Sequence, residues 1–495
     1  MNYKSTRDAS VSVKSAEAIV KGLSYEGGLF LPESIPTVSK DFVASLAPMS
    51  YQERAKSILS LFLTDFTEEE IDYCVKGAYN TNFASEKIAP VTSLTETEHI
   101  LELWHGPTCA FKDMALQILP YLLTTSMKKV GIDKEVVILV ATSGDTGKAA
   151  LEGFRDVEGT KIIVFYPVDG VSRIQKLQMA TQSGENVYVA SVKGNFDDAQ
   201  SGVKMIFTNP DCEKKLDENK KAFSSANSIN WGRLVPQVVY YFSAYAELLR
   251  EGKIENGEEM NVCVPTGNFG NILAAFYAKC MGLPVGKLIC ASNMNNVLTD
   301  FIKTGTYDKN RDFHTTISPS MDILISSNLE RLLYLISSDA NLVAKYMDEL
   351  KNNGKYTVTD SIKNTVCENF AGGFCSDEEA KATIGEYKEK YGYTMDTHTA
   401  VAVKVYDDYV KETGDMRKTV IASTASPFKF NEAVLTAIGE NVEGKDEFEL
   451  LDLLSEKSGM NIPESLNELR VKEVRFTDVF EKTEMIDAVY KFLNI

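Results

Sequence analysis

The sequence is poor in the residues that build metal and disulfide sites. It has four histidines (His99, His105, His314, His398) and no pair of them at ligand spacing, so a zinc centre has no support. The eight cysteines include no C-x-x-C pair, and several lie inside apolar runs, such as Cys263 in NVCVP and Cys290 in LICAS. In a chain of this length they read as reduced, buried thiols and not as a disulfide framework. No run of about twenty apolar residues exists, which excludes a membrane-spanning helix. The opening segment MNYKSTRDASVSVKSAEAIV is charged throughout and lacks a signal peptide's apolar centre, so the expected compartment is cytoplasmic. Basic residues are also in deficit, 52 against 70 acidic ones, for a formal charge of −18. That balance argues against nucleic acid or an anionic membrane as partner. Internal repeats and low-complexity tracts are absent.

What is present reads as an ordinary soluble protein, 44% hydrophobic and 25% charged, too long at 495 residues for one core. From residue 135 the pattern alternates. EVVILVA (135–141) is followed by a Gly-rich turn and the helical stretch KAALEGFRD; KIIVFYP (161–167) and NVYVASV repeat the arrangement. NVCVP, KLICAS (287–292) and TVIAST (419–424) continue it. Short Val- and Ile-rich runs joined by helices predict βαβ units, hence an α/β fold with parallel sheets covered on both faces. Ligands in such folds bind beyond the carboxyl ends of the strands. Residues 1–92 read as a mostly helical N-terminal module, 93–440 as the core with a smaller, mobile subdomain near 135–225, and 441–495 as an acidic helical tail packed on it. The charged stretch DCEKKLDENKK (211–221) reads as a solvated loop or helix face.

Five motifs occupy strand-to-helix positions or helix starts. HGPTCAFKDMALQ (105–117) sets Lys112 among small and apolar neighbours at a helix start, where its ammonium form is disfavoured, as imine formation requires. A snorkelling lysine is the plainer alternative. ATSGDTGKAA (141–150) is an anion-cradling turn. A phosphate-binding P-loop fails there, because Thr142 stands five before Gly147 and Ala149 follows Lys148. A carboxylate-binding turn built on Ser143 and Thr146, or an ordinary βα turn, remains. In PTGNFGNILAA (265–275), Gly267 and Gly270 let backbone N–H groups converge on one small anion at a helix N-terminus. NSINWGRLVPQ (227–237) offers Arg233 for a phosphate or carboxylate, or for an acidic surface neighbour. IASTASPFKF (421–430) ends a strand with Ser423 and Thr424, hydroxyls that serve a pyridine nitrogen or cap the next helix.

Taken together, HGPTCAFKD, ATSGDTG, NSINWGR, PTGNFGN and STASP resemble, in order and spacing, threonine synthase in its longer microbial and fungal form. YKSTRD (3–8), GLSYEGGLFLP (22–32), SPSMDI (318–323), SNLERLL and MDTHTAVAV (395–403) extend the resemblance from residue 3 to about residue 430. Glu26 stands where aspartate is more usual, Thr397 where proline is common, and WGR replaces smaller variants. The resemblance implies two parallel-sheet βα domains of the tryptophan-synthase-β-like type, with pyridoxal 5'-phosphate between them.

It also implies roles for individual residues. Lys112 bears the cofactor and is the catalytic residue. Gly267, Asn268, Phe269, Gly270 and Asn271 hold the cofactor phosphate, and Thr424 faces the pyridine nitrogen. Asp145 faces the ring hydroxyl, Ser143 and Thr146 receive the substrate carboxylate, and Ser228, Asn230 and Arg233 surround the substrate phosphate. The implied reaction converts O-phospho-L-homoserine and water to L-threonine and phosphate. A phospho-lyase giving 2-oxobutyrate and a non-catalytic pyridoxal-phosphate binder are the alternatives. The same resemblance implies a monomer without an S-adenosylmethionine effector.

Overall fold

The computed structural model describes residues 1–142, 144–168 and 171–495, apart from the side chains of 196 and 197. Two sheets organise the chain. The larger runs, in spatial order, through Phe370–Phe374, Val285–Ser292, Met260–Pro265, Thr419–Ser423, Glu98–Glu102 and Val91–Ser93; only the last pairing is antiparallel. The smaller is parallel throughout, in the order Val479–Phe480, Val187–Val192, Thr160–Pro167, Glu135–Ala141 and Lys221–Ser224. Val136–Val140 and Ile162–Phe165 are buried along their whole length, as expected of strands covered by helices on both faces. The α/β reading holds. No helix among the described residues is long and apolar enough to cross a membrane.

Some elements differ from the sequence expectation. FAGGF (370–374) pairs with Leu288–Ser292 as the outer strand of the larger sheet, inside a region that reads as helical. The charged stretch after Asn209 forms the helix Pro210–Glu218, but Lys221–Ser224 turns into a strand beside Glu135–Ile138. The tail is not helical throughout. Val479 and Phe480 add the last strand to the smaller sheet, and the helix Met485–Leu493 packs its buried Met485, Ala488 and Val489 into that sheet's cluster. Six cysteines are buried as expected, whereas Cys280 and Cys367 are exposed.

The long helix Trp231–Arg250 is buried on nearly every face. The first ninety residues pack against it: Tyr3 and Phe62 meet the Trp231 ring at 5.4 and 5.7 Å, and Arg54 pairs with Glu247 at 2.7 Å with both side chains buried. Antiparallel pairing of Tyr3–Ser5 with Phe30–Pro32 ties the start of the chain to the YEGGLFLP segment.

One close contact aligns two elements that carry the site. The helix Asp145–Phe154 approaches the turn after Lys112 so closely that a Cβ on Gly153 would stand 2.1 Å from the Leu116 carbonyl oxygen. Gly153→Ala is expected to destabilise the fold by about 1–3 kcal/mol through this backbone clash, read as a lower midpoint in urea unfolding.

Candidate active site

The motif-bearing loops meet at the carboxyl ends of the two sheets. Lys112 follows the strand Glu98–Glu102, and the end of Thr419–Ser423 is stitched to its loop. The Phe111 N–H donates to the Thr424 carbonyl at 2.8 Å, and Ala110 forms an isolated bridge with Ala425. Thr424 and Lys112 are neighbours for that reason, although 312 positions separate Lys112 from Thr424 in number (424 − 112).

Lys112 is nearly buried. Its Nζ lies 3.5 Å from Ser320 Oγ and 3.8 Å from Asp145 Oδ2. Burial lowers its ammonium pKa; Asp145 raises it in part, and Lys429 and Arg233 lower it further. The group is therefore biased towards the neutral, nucleophilic amine. Asp113, the next residue, accepts from the Thr108 N–H and hydroxyl at 2.8 and 2.7 Å, and burial lifts its carboxyl to about 6.

Asp145 begins the helix after Glu135–Ala141. Thr142 shapes the turn by accepting from the N–H groups of Gly144 at 3.0 Å and Gly147 at 2.9 Å. Gly144 sits at φ +145°, and a Cβ there would meet Gln175 at 2.6 Å. Three side chains hold the Asp145 carboxylate: Lys429 at 2.5 Å, Gln175 at 2.8 Å and Ser320 at 3.4 Å. Burial alone would raise its pKa, but the charges of Lys429 and Lys112 and these hydrogen bonds hold it well below the usual carboxylate range. Lys148, the residue a P-loop would aim at phosphate, instead pairs with Glu152 at 3.1 Å.

The loop Gly267–Asn271 leads from Met260–Pro265 into the helix Gly270–Met281. Phe269 is held at φ +63°, a left-handed conformation costly for a residue with a Cβ, and its ring is buried against Phe370. Asn271 Oδ1 accepts from the Tyr240 hydroxyl at 2.7 Å and from that of Tyr241, while its Nδ2 is buried without a partner. A Cβ on Gly267 would press on the Ser320 carbonyl at 2.8 Å, whereas one on Gly270 would meet only ordinary contacts from 3.5 Å outward. Protein packing does not require glycine at 270. A group lying against the loop would.

Arg233 lies in the first turn of Trp231–Arg250. It is buried, donates Nη1 to the Ala226 carbonyl, has no partner for Nε among the described residues, and burial alone draws its pKa down to about 10. The acidic surface neighbour allowed by the sequence is not what it meets. A buried guanidinium has the charge and the planar donors to bind an anion. Ser228 stands nearby in the same loop, 3.4 Å from Ser327.

Most of the expected residues converge, with exceptions. Asn230 caps the helix, its Oδ1 accepting from the Gly232 N–H at 2.8 Å, while Nδ2 donates to the carbonyls of Ile19 and Ser225. With oxygen and amide both engaged, it anchors the loop to the N-terminal module instead of facing a ligand. Thr146 is half-buried in the first turn after Asp145, and Ser143 lies outside the described residues. Sequence reasoning missed Lys429, Gln175, Ser320 and His398. His398 Nε2 accepts from the Ser320 N–H at 3.2 Å, so Nδ1 carries the proton towards Asp396 at 3.0 Å. Lys429 and His398 both sat inside familiar motifs, but nothing local distinguishes a lysine that meets a carboxylate 284 positions away in number (429 − 145).

Comparison with known proteins decides the family. Residues 2–79 match the family "Threonine synthase N terminus" and residues 399–490 "Threonine synthase, C-terminal". Threonine synthase of Saccharomyces cerevisiae is 38% identical over 465 residues, covering 88% of this chain and 89% of that protein. The chain belongs to the threonine synthase family. Human threonine synthase-like 1 is 42% identical over 434 residues, 86% of this chain, and the match spans 58% of that longer protein. Among solved structures, a pyridoxal-phosphate-bound threonine synthase from Brucella melitensis superposes with a TM-score of 0.87 at 35% identity, covering 99% of both chains. The yeast threonine synthase structure gives 0.89 at 34% identity, covering 100% of this chain and 99% of that one.

Within this member of the family the Asp145–Lys429 pair is the electrostatic centre of the site. Asp145→Asn leaves Lys429 buried without its carboxylate and is expected to cost about 3–5 kcal/mol at neutral pH. Because the folded-state pKa is depressed, this stabilisation is complete above the unfolded carboxylate's 3.8 and declines as pH falls below it. Denaturant unfolding at a series of pH values should show wild type and variant converging towards the acid end.

Proposed function

We propose that this chain is a threonine synthase that uses pyridoxal 5'-phosphate to convert O-phospho-L-homoserine and water into L-threonine and phosphate. The carrying observation is a nearly buried Lys112, biased towards its neutral amine, near two separate groups of anion-binding donors, the Gly267–Asn271 loop and the buried Arg233 guanidinium. A cofactor phosphate and a substrate phosphate account for both. A carrier that only stored the cofactor would need one.

The residues fit the cofactor. Lys112 would hold it covalently through Nζ. Asn271 Nδ2, oriented by two tyrosines, and the N–H groups at the start of Gly270–Met281 would hold its phosphate. Thr424, at a strand end beside Lys112, supplies a neutral hydroxyl for the ring nitrogen, and Asp145 the charge near the ring hydroxyl. When bound, the cofactor provides an electron sink for charge developing next to the substrate amine.

The chain's own residues supply position, dryness and proton transfer. Arg233 and Ser228 bind the substrate phosphate and orient Cγ for its departure. The start of the helix Asp145–Phe154, at Thr146, receives the substrate carboxylate. With the cofactor bound, Lys112 Nζ would be the base that takes the Cα proton and returns it at the end of the turnover. The proton lost from Cβ is balanced by the one gained at Cγ as phosphate leaves, and water supplies the Cβ hydroxyl and a proton to the phosphate. Its ammonium form is disfavoured by burial, which favours the neutral amine that a base must be. Asp145 stays ionised because Lys429 holds it, so it does not compete for that proton.

Lys112→Ala is expected to lose the visible absorbance of lysine-bound pyridoxal and at least about 10³-fold in turnover; a variant that keeps both sinks the assignment. Arg233→Met should raise KM for O-phosphohomoserine at least about thirtyfold, as loss of ~2 kcal/mol of charged hydrogen bonding implies. Product analysis by chromatography distinguishes threonine from 2-oxobutyrate; 2-oxobutyrate as the main product would replace the synthase by a phospho-lyase.

A further inference from the structure

Between the two anion sites runs the segment Ser326–Asn328, which leads into the SNLERLL motif (327–333) that the proposed chemistry leaves unused. Asn328 is fully buried. Its Nδ2 donates to the Ser228 carbonyl at 3.2 Å and to the Asn268 carbonyl at 3.1 Å, and its backbone N–H reaches the same Asn268 carbonyl at 3.0 Å. One amide therefore bridges the Arg233 loop and the Gly267–Asn271 loop. Its neighbours repeat the stitch: Ser326 Oγ donates to the Gly267 carbonyl at 2.8 Å, and Ser327 Oγ lies 3.4 Å from both Asn268 Oδ1 and Ser228 Oγ.

The bridge is itself clamped. Asn328 Oδ1 accepts from Arg331, whose guanidinium is buried and also donates to the carbonyls of Ile229 and Phe30. Glu330, beside it, takes a two-point bond from Arg7 at 2.8 and 2.7 Å. Every donor and acceptor of the Asn328 side chain is thus used, and the amide cannot rotate without breaking three bonds. The Asn328 amide nitrogen also packs 3.5 Å from where a Gly270 Cβ would be.

We propose that Asn328 is a positioning residue that fixes the spacing between the cofactor-phosphate and substrate-phosphate loops. This rests on the function proposed above. The spacing matters because an unreactive Cα and a departing phosphate must both be held in register with one cofactor, and errors near 1 Å are costly. Asn328 touches neither ligand. It acts by holding two backbone carbonyls in place, and through Arg331, Glu330 and Arg7 it connects that spacing to the N-terminal module.

The test uses the full chain and three variants: Asn328→Ala, Ser326→Ala and Leu333→Ala, the last a core truncation on the helix Leu329–Ser337 that follows Asn328. Two constants are measured: pyridoxal phosphate affinity of the apo protein by absorbance titration, and inhibition of the loaded enzyme by inorganic phosphate. Asn328→Ala should weaken both by about tenfold, as loss of ~1.4 kcal/mol of hydrogen bonding implies. Ser326→Ala, which bonds only the first loop, should weaken pyridoxal phosphate alone. Leu333→Ala should lower the melting temperature and leave both constants within about twofold. If Asn328→Ala moves only one constant or neither, or moves both no more than the Leu333→Ala control does, the bridge is overturned while the function stands. Wild-type protein that takes up no pyridoxal phosphate overturns the function and the bridge with it.

Discussion

Three cations, Lys112, Lys429 and Arg233, are buried at one place in a protein with an excess of acid, and Asp145 is the carboxylate that two of them share. Burying unpaired positive charge is expensive, so such a cluster persists only where partners compensate it. Asp145 compensates Lys429 closely, at 2.5 Å, and Lys112 only loosely, at 3.8 Å. Among the described residues, no carboxylate pairs with Arg233. The division separates two environments: Lys429 meets its carboxylate at close range, while Lys112, held more loosely, has its ammonium disfavoured by burial.

The same carboxylate joins the sheets. Asp145 and Gln175 come from helices of the smaller sheet, whereas Lys429, Lys112 and Ser320 come from segments around the larger one. Electrostatics and architecture therefore meet in one contact, and the close approach at Gly153 and Leu116 sets the helix that carries it. The helix Trp231–Arg250 provides the complementary axis. Its first turn presents Arg233, and two turns on Tyr240 and Tyr241 orient Asn271 in the other anion loop. Gln237, between them, bonds the Arg233 carbonyl and the Tyr240 hydroxyl.

The N-terminal residues are part of this arrangement. Asn230, read as a ligand contact, is pulled by Ile19 into the role of a loop anchor, and Arg7 reaches Glu330 beside the buried Arg331. A polar amide in a substrate-like motif can be consumed by capping and by a neighbouring element's free carbonyls, since both are short of partners at a helix start.

The sequence by itself determined the α/β class, the strand-to-helix places of the motif loops, and Lys112 as the candidate reactive amine. Those features are local: Val and Ile runs of strand length, glycines at strand-to-helix turns, and a lysine among small apolar residues. Tertiary structure alone decided the rest. FAGGF becomes a strand because Leu288–Ser292 offers an unpaired edge, although two adjacent glycines carry no strand preference of their own. Lys429, Gln175, His398 and Asn328 acquire their roles from partners far away in the chain. Charge pairing and hydrogen bonding depend on distances of a few ångströms in space, and only the folded sheets bring those atoms together.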